Sequence, residues 1–175
     1  MHNVKSKVPV RIALFAALIA VCSMISIPFT VPMTLQIFAI FFALMTIRSC
    51  GLIAICVYIA IGIVGLPVFA GFGAGVGHIL GASGGFVLAF PISAVFFIML
   101  EALLGRSEKK KICYALISLI LIYTIGTLWF MLVYAGAEGF LAALLIAAVP
   151  YIPIDAVKLF LAYTVSKRLK ALIDL

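Results

Sequence analysis

Asp155 and Lys158 stand three residues apart in "PYIPIDAVK", residues 150–158, with almost nothing else polar around them. Residues three apart are neighbours on one helix face. A carboxylate accepts and an ammonium donates, so together they can grip one small polar ligand. Pro153 suits the first position of a helix, where its missing N–H costs nothing. Asp155 then falls in the first turn, where the helix dipole favours a negative charge. Two readings compete here. One is a capping carboxylate with an intrahelical ion pair and no ligand. The other is a binding site, and Lys158 favours it: the dipole disfavours an ammonium so near a helix start, so something else must hold it there. A ligand carboxylate would suffice. Ionisable groups near membrane depth usually face a bundle interior and mark a substrate path.

Other polar residues extend the candidate set. Gln36 is the only glutamine and follows "VPMTL". Its amide both donates and accepts; the alternative is a helix-start amide facing lipid headgroups. The segment 62–85, "GIVGLPVFAGFGAGVGHILGASGG", holds nine of the 14 glycines. It is no dinucleotide fingerprint, since no strand precedes it and no acidic residue follows at the required distance. Irregular backbone at membrane depth is tolerated only where protein buries it or it lines a cavity. The segment therefore reads as a lid or pocket wall; Phe69, Phe72 and Leu80 fit poorly with the alternative, a mobile surface loop. His78 lies on it as a loop histidine that could touch ligand. "GASG", residues 81–84, matches the GxSG nucleophile word of rhomboid proteases, but no histidine follows His78 in the chain. A serine without a positioned base is a weak nucleophile, so no catalytic residue and no enzyme is expected. No P-loop word GxxxxGK[ST] is present either, so this chain is not expected to hydrolyse ATP itself.

The elements that must position these residues follow from composition. Of 175 residues, 67% are hydrophobic and 10% charged, and the mean hydropathy is +1.42. Soluble domains are roughly half apolar and a quarter charged, so the solvent must be lipid. At about 20 residues per span the chain allows about six helices in one membrane-embedded domain, 1–175. The expected all-α helices are 8–27, 34–48, 50–65, 84–104 and 112–135. The remaining stretch, 139–170, is too long for one span, and prolines 150 and 153 break it. That leaves a short helix at 139–149 and a sixth span from 153.

Eleven of the twelve basic residues fall on one side of this arrangement: Lys5, Lys7, Arg11, Arg48, Arg106, Lys109, Lys110, Lys111, Lys167, Arg168 and Lys170. The opposite loops, 28–33, 66–83 and 136–152, carry none. The net charge of +7 thus reads as a positive-inside signal rather than a nucleic-acid surface, and both termini are expected to be cytoplasmic. Lys158 alone is left over. Glu101 and Glu108 read as solvated or interfacial carboxylates near the inner surface, and Glu138 as one in an outer loop. Ala20-Val21-Cys22 faintly matches a lipoprotein cleavage site, but Val21 is large for it and the apolar run continues, so the first helix is expected to be retained. The four cysteines make no CxxC pair and read as apolar filler, and no metal site is expected. In the first helix, Ala13 and Ala17, and Ala16 and Ala20, are four apart. Small residues at that spacing let helices pack closely in lipid, either within the bundle or against a partner.

Several longer words, in order, resemble the BioY family, the biotin-specific S components of energy-coupling factor transporters. They are "ALFAALIAV" in the first helix, "VPMTLQ" at 31–36, "GLPVFAGFGAG" at 65–75, "GASGGF" at 81–86 and "VPYIPIDAVK" at 149–158. The resemblance implies biotin captured from outside at a pocket roofed by the first, third and fifth loops. It implies docking of the chain on a membrane T component carried by two ABC-type ATPases, which use the ATP. It implies a multi-pass protein of the bacterial cell membrane, with biotin as transported ligand and no cofactor of its own. Gln36, Asp155 and Lys158 inherit ligand contact by position, with His78, Gly85, Phe86 and Tyr151 as further candidates. Ala13 and Ala17 inherit contact with the T component. Phe69 and Trp129 join Phe86 and Tyr151 as aromatics that could wall the ring system. Asp155 would accept from the ureido N–H groups, and Lys158 would hold the ureido carbonyl or the carboxylate. The chain departs from the family pattern at Ala82-Ser83 (Pro-Thr), Phe86 (Tyr) and Ile154 (Gly). The inner turn at 48–51 is also unusual for it. The alternatives are an S component for another vitamin and a stand-alone carrier.

Overall fold

A computed structural model describes residues 7–134 and 139–173. Lys5 and Glu138, two charges assigned from the sequence, lie outside the described residues. The chain runs through α1 (Lys7–Met24), the two-residue strands β1 (Ser26–Ile27) and β2 (Met33–Thr34), α2 (Gln36–Ile47) and α3 (Ser49–Val64). A single 3₁₀ turn (Ala70–Phe72) and α4 (Gly75–Leu80) follow, then α5 (Gly84–Leu104) and α6 (Glu108–Val133). Last come α7 (Phe140–Ala147), a second 3₁₀ turn (Val149–Tyr151) and α8 (Ile152–Ile173).

Long apolar runs can satisfy their backbone in lipid only as helices or closed barrels. Four stretches, α1, α5, α6 and Phe140–Lys170, are long and apolar enough to cross a membrane. The prolines divide the last of these. Pro150 sits in the 3₁₀ turn, where no long ladder is interrupted, and Pro153 is the second residue of α8. The second and third apolar helices are shorter than a span. The 12 residues of α2 reach about 18 Å, against a hydrocarbon core of about 30 Å. For α2, placement accounts for the shortness. Ala39, Ile40, Phe41, Ala43, Leu44 and Met45 are all fully buried, and a helix that is apolar all round is an interior helix. Around it, α1 packs on α2 and α3, α8 along α2, and α5 along α6.

The sequence missed the smallest elements. The β1–β2 pair is antiparallel, Ser26 opposite Thr34, and α4 occupies the segment read as loop. Neither is long enough to show a period. The fifth expected helix starts earlier, at Glu108, so the lysines at 109–111 belong to its first turns.

The two alanine pairs of α1 separate. Ala16 and Ala20 are buried against the bundle, while Ala13 and Ala17 are exposed on the opposite face beside Leu14. At the basic end, one expectation is corrected. Glu101 is not solvated: it is 1% exposed and accepts from Arg48 Nε at 3.1 Å. The helix α5 carries it inward, and Arg48 is the cation within reach. Glu108 does stay at the surface, paired with Lys111 at 2.6 Å and Lys170 at 3.2 Å.

Candidate functional site

At the other end of the bundle the loops close over a cavity. Three ties hold them. Tyr151 donates its hydroxyl to the Val31 carbonyl at 2.5 Å. The Gly71 N–H donates to Ser26 Oγ at 3.2 Å. The Trp129 indole N–H donates to the Gly81 carbonyl at 3.0 Å. Beneath them, β2 and the segment before it supply Val31, Pro32, Met33 and Thr34 to the cavity, and α2 supplies Gln36 and Ile37. From the glycine-rich segment come Ala70, His78 and Ser83; from α5, Phe86, Val87 and Phe90; from α6, Ile122 and Tyr123. The prolines' turn and α8 add Tyr151, Asp155 and Lys158.

The charge pair is buried and ordered by a third residue. Lys158 Nζ donates to Asp155 Oδ1 at 2.6 Å, and Tyr123 Oη donates to Asp155 Oδ2 at 2.6 Å. Asp155 and Lys158 are 5% and 6% exposed. Taking two charges out of water costs several kcal/mol each, and their attraction often does no better than an apolar pair would. A buried pair is therefore weak evidence for a stabilising role. Here it faces a cavity with capacity to spare. An ammonium has three donors, and among the described residues only Asp155 accepts from Lys158. Each Asp155 oxygen keeps a further lone pair.

Gln36 is held by Tyr58 and Thr34. Its Nε2 donates to Tyr58 Oη at 2.8 Å, and that hydroxyl lies 3.0 Å from Ser23 Oγ on α1. Thr34 Oγ1 donates to Gln36 Oε1 at 3.4 Å. A chain of hydrogen bonds thus joins the cavity to α1. His78 stacks on Phe69, centroids 4.9 Å apart and planes at 16°. Burial pulls its pKa below the ordinary histidine value, which favours the neutral imidazole, one nitrogen donating and one accepting.

The cavity brings together Gln36, Asp155, Lys158, His78, Phe86 and Tyr151 from the sequence-derived set. Gly85 lies elsewhere. A Cβ there would overlap the Trp129 side chain, so Gly85 seats Trp129 rather than lining the cavity. Trp129 closes the roof through Gly81, and Phe69 packs beneath His78 and against Tyr58; neither is among the lining residues. Phe86 is let in by Gly126, where a Cβ would meet its ring. Tyr123 was missed. The available signal was a phenol in an apolar span, since a buried hydroxyl needs a partner, but nothing in the sequence paired α6 with α8. The site presents a carboxylate, an ammonium and an amide within aromatic and aliphatic walls. It can bind a small molecule carrying both donors and acceptors on an otherwise apolar frame.

Comparison with known proteins agrees with this picture. Residues 1–174 match the model of the BioY family. A probable biotin transporter BioY of Pyrococcus horikoshii is 38% identical over 95% of this chain and 98% of its own length. The biotin transporter BioY of Thermotoga maritima is 33% identical over 93% and 95%. Among solved structures, the S-component for biotin from an ECF-type ABC transporter superposes with a TM-score of 0.85. It is 25% identical and covers 98% of this chain and 94% of its own.

Proposed function

Because the chain belongs to the BioY family, we propose that it is the biotin-binding S component of an energy-coupling factor importer, a transport subunit rather than an enzyme. The observation that carries this reading is the buried Asp155–Lys158 pair opening into an apolar-walled cavity. Biotin has a ureido group with two N–H donors and one carbonyl, a thioether ring and a valerate carboxylate. Asp155 and Gln36 accept from the ureido N–H groups. The spare Lys158 donors take the ureido carbonyl or the carboxylate. Phe86, Phe90 and Tyr151 contact the ring system. Tyr123 holds Asp155 in place.

In this reading the protein crosses the cell membrane six times with both termini cytoplasmic, and the cavity faces outside. The shorter α2 and α3 count as spans because they sit among longer helices. Ala13 and Ala17 form the contact with a membrane T component, which two ATPases drive. Their exposure on α1 supports this. Ala13→Trp is then expected to abolish uptake by the assembled complex and leave biotin affinity unchanged; weakened binding with intact assembly would remove the assignment.

Two of the departures from the family pattern, Ser83 and Phe86, line the cavity, so the vitamin itself has to be tested. Purified protein titrated calorimetrically with biotin, thiamine and riboflavin is expected to bind biotin alone, one to one. Heat with a different vitamin and none with biotin would keep the S-component reading and change the substrate. Uptake by liposomes holding this chain alone would replace it with a stand-alone carrier.

A further inference from the structure

A second cavity lies at the basic end of the bundle, lined by Thr46, Arg48, Glu101, Arg106, Glu108, Lys111 and Lys170. We infer that it binds the phosphate of an anionic lipid headgroup. Four cations there face two carboxylates, so the cluster is not neutral by itself. Most of its donors are also unspent. Arg48 uses only Nε, on Glu101, and a guanidinium carries five N–H donors. Arg106 has no ion-pair partner among the described residues. Lys111 and Lys170 both donate to the same oxygen, Glu108 Oε1. Two ammonium groups sharing one carboxylate oxygen repel each other, and a second anion would relieve them.

The backbone points the same way. Arg48 is the single residue between α2 and α3, at φ 54° and ψ −117°. Side chains rarely tolerate that conformation, and strain of this kind gathers at functional positions. A glycine would make the turn without strain; an arginine there places its guanidinium at the cavity. Arginine also matches phosphate geometry with paired N–H groups. A lipid suits the place better than a free anion. Leu103 and Leu104, 73% and 54% exposed, directly precede the Gly105-Arg106 turn and offer apolar surface for acyl chains. Basic pockets between membrane helices on the positive side commonly hold anionic headgroups.

The full chain in neutral detergent tests this, with native mass spectrometry to count bound lipid and thermal denaturation to read its effect. Phosphatidylglycerol is expected to bind at least tenfold tighter than phosphatidylcholine of the same chains and to raise the midpoint. The double variant Arg106→Gln/Lys170→Gln is expected to lose that preference. Lys109→Gln/Lys110→Gln, basic residues at the same end outside the cavity, is expected to keep it. Equal binding of the two lipids, or equal loss in both double variants, would overturn the inference. Inorganic phosphate protecting as well as phosphatidylglycerol would overturn the lipid assignment in favour of free phosphate. Arg48→Gln is not the deciding variant, because it strands buried Glu101. Biotin affinity is expected to be the same in both double variants, so the result stands apart from the vitamin reading.

Discussion

The two ends of the bundle both bury charge, but they do it differently. At the cavity end one carboxylate meets one ammonium, and a tyrosine donates to the carboxylate's other oxygen. That cluster is electrically closed, and what it leaves open is hydrogen-bonding capacity toward an apolar chamber. At the basic end four cations meet two carboxylates, and what is left open is charge. A neutral cluster with spare donors and acceptors suits a small, mostly apolar ligand whose polar groups need matching. A cluster with surplus positive charge calls for an anion. On the readings proposed above, each end suits a different kind of occupant.

The comparison breaks most readily at Lys158. Lys158→Ala leaves the Asp155 charge buried and uncompensated, a loss of about 3–5 kcal/mol of stability, and is expected to weaken biotin binding more than tenfold. Thermal denaturation and calorimetry read the two effects separately. An unchanged affinity would reduce the pair to a helix cap and erase the contrast between the ends. Asp155→Asn keeps the shape and still offers an amide oxygen, but it strands the buried Lys158 ammonium, so a comparable stability loss is expected, while biotin affinity drops at least tenfold, about 1.4 kcal/mol.

Tyr123→Phe sharpens the picture further. It removes one hydrogen bond to a charged group without opening space, and a several-fold loss of affinity, about 1 kcal/mol, is the expected calorimetric result. Affinity equal to the native protein would show that Asp155 needs no positioning from α6. The smallest effect is at His78. Burial lowers its folded-state pKa, so the unfolded chain takes up the proton first as the medium acidifies. The stability this histidine contributes is present above about pH 6.5, its unfolded value, and is lost as pH falls through the lower folded value. Denaturation midpoints are expected to decline over that window in the native protein and to decline less in His78→Gln. Identical profiles would mean that the imidazole is freely hydrated rather than held under the loops.

Much of this was legible in the chain because lipid leaves few options. An apolar run in hydrocarbon must be helical, and prolines 150 and 153 had to divide the last run, as α7 and α8 do. The expected helix at 84–104 has the bounds of α5. The charge pair Asp155 and Lys158 was visible because charge is costly in such surroundings, and their spacing alone made them neighbours. Local rules of that kind need no knowledge of which helix lies beside which.

Everything that depended on neighbours waited for the tertiary structure. Glu101 looked interfacial by its place near a helix end, yet packing buries it against Arg48, 53 positions away in the chain. Tyr123 became a partner of Asp155 only because α6 and α8 converge. Gly85 looked like cavity wall and instead makes room for Trp129. The two alanine pairs of α1 share one spacing, and only the position of α2 and α3 decided which faces inward. The physical reason is the same each time. Solvent preference and helix period act within a few residues, so the sequence itself fixes them. Pairing across the bundle depends on which faces meet, and that is set by the packing of all the helices together.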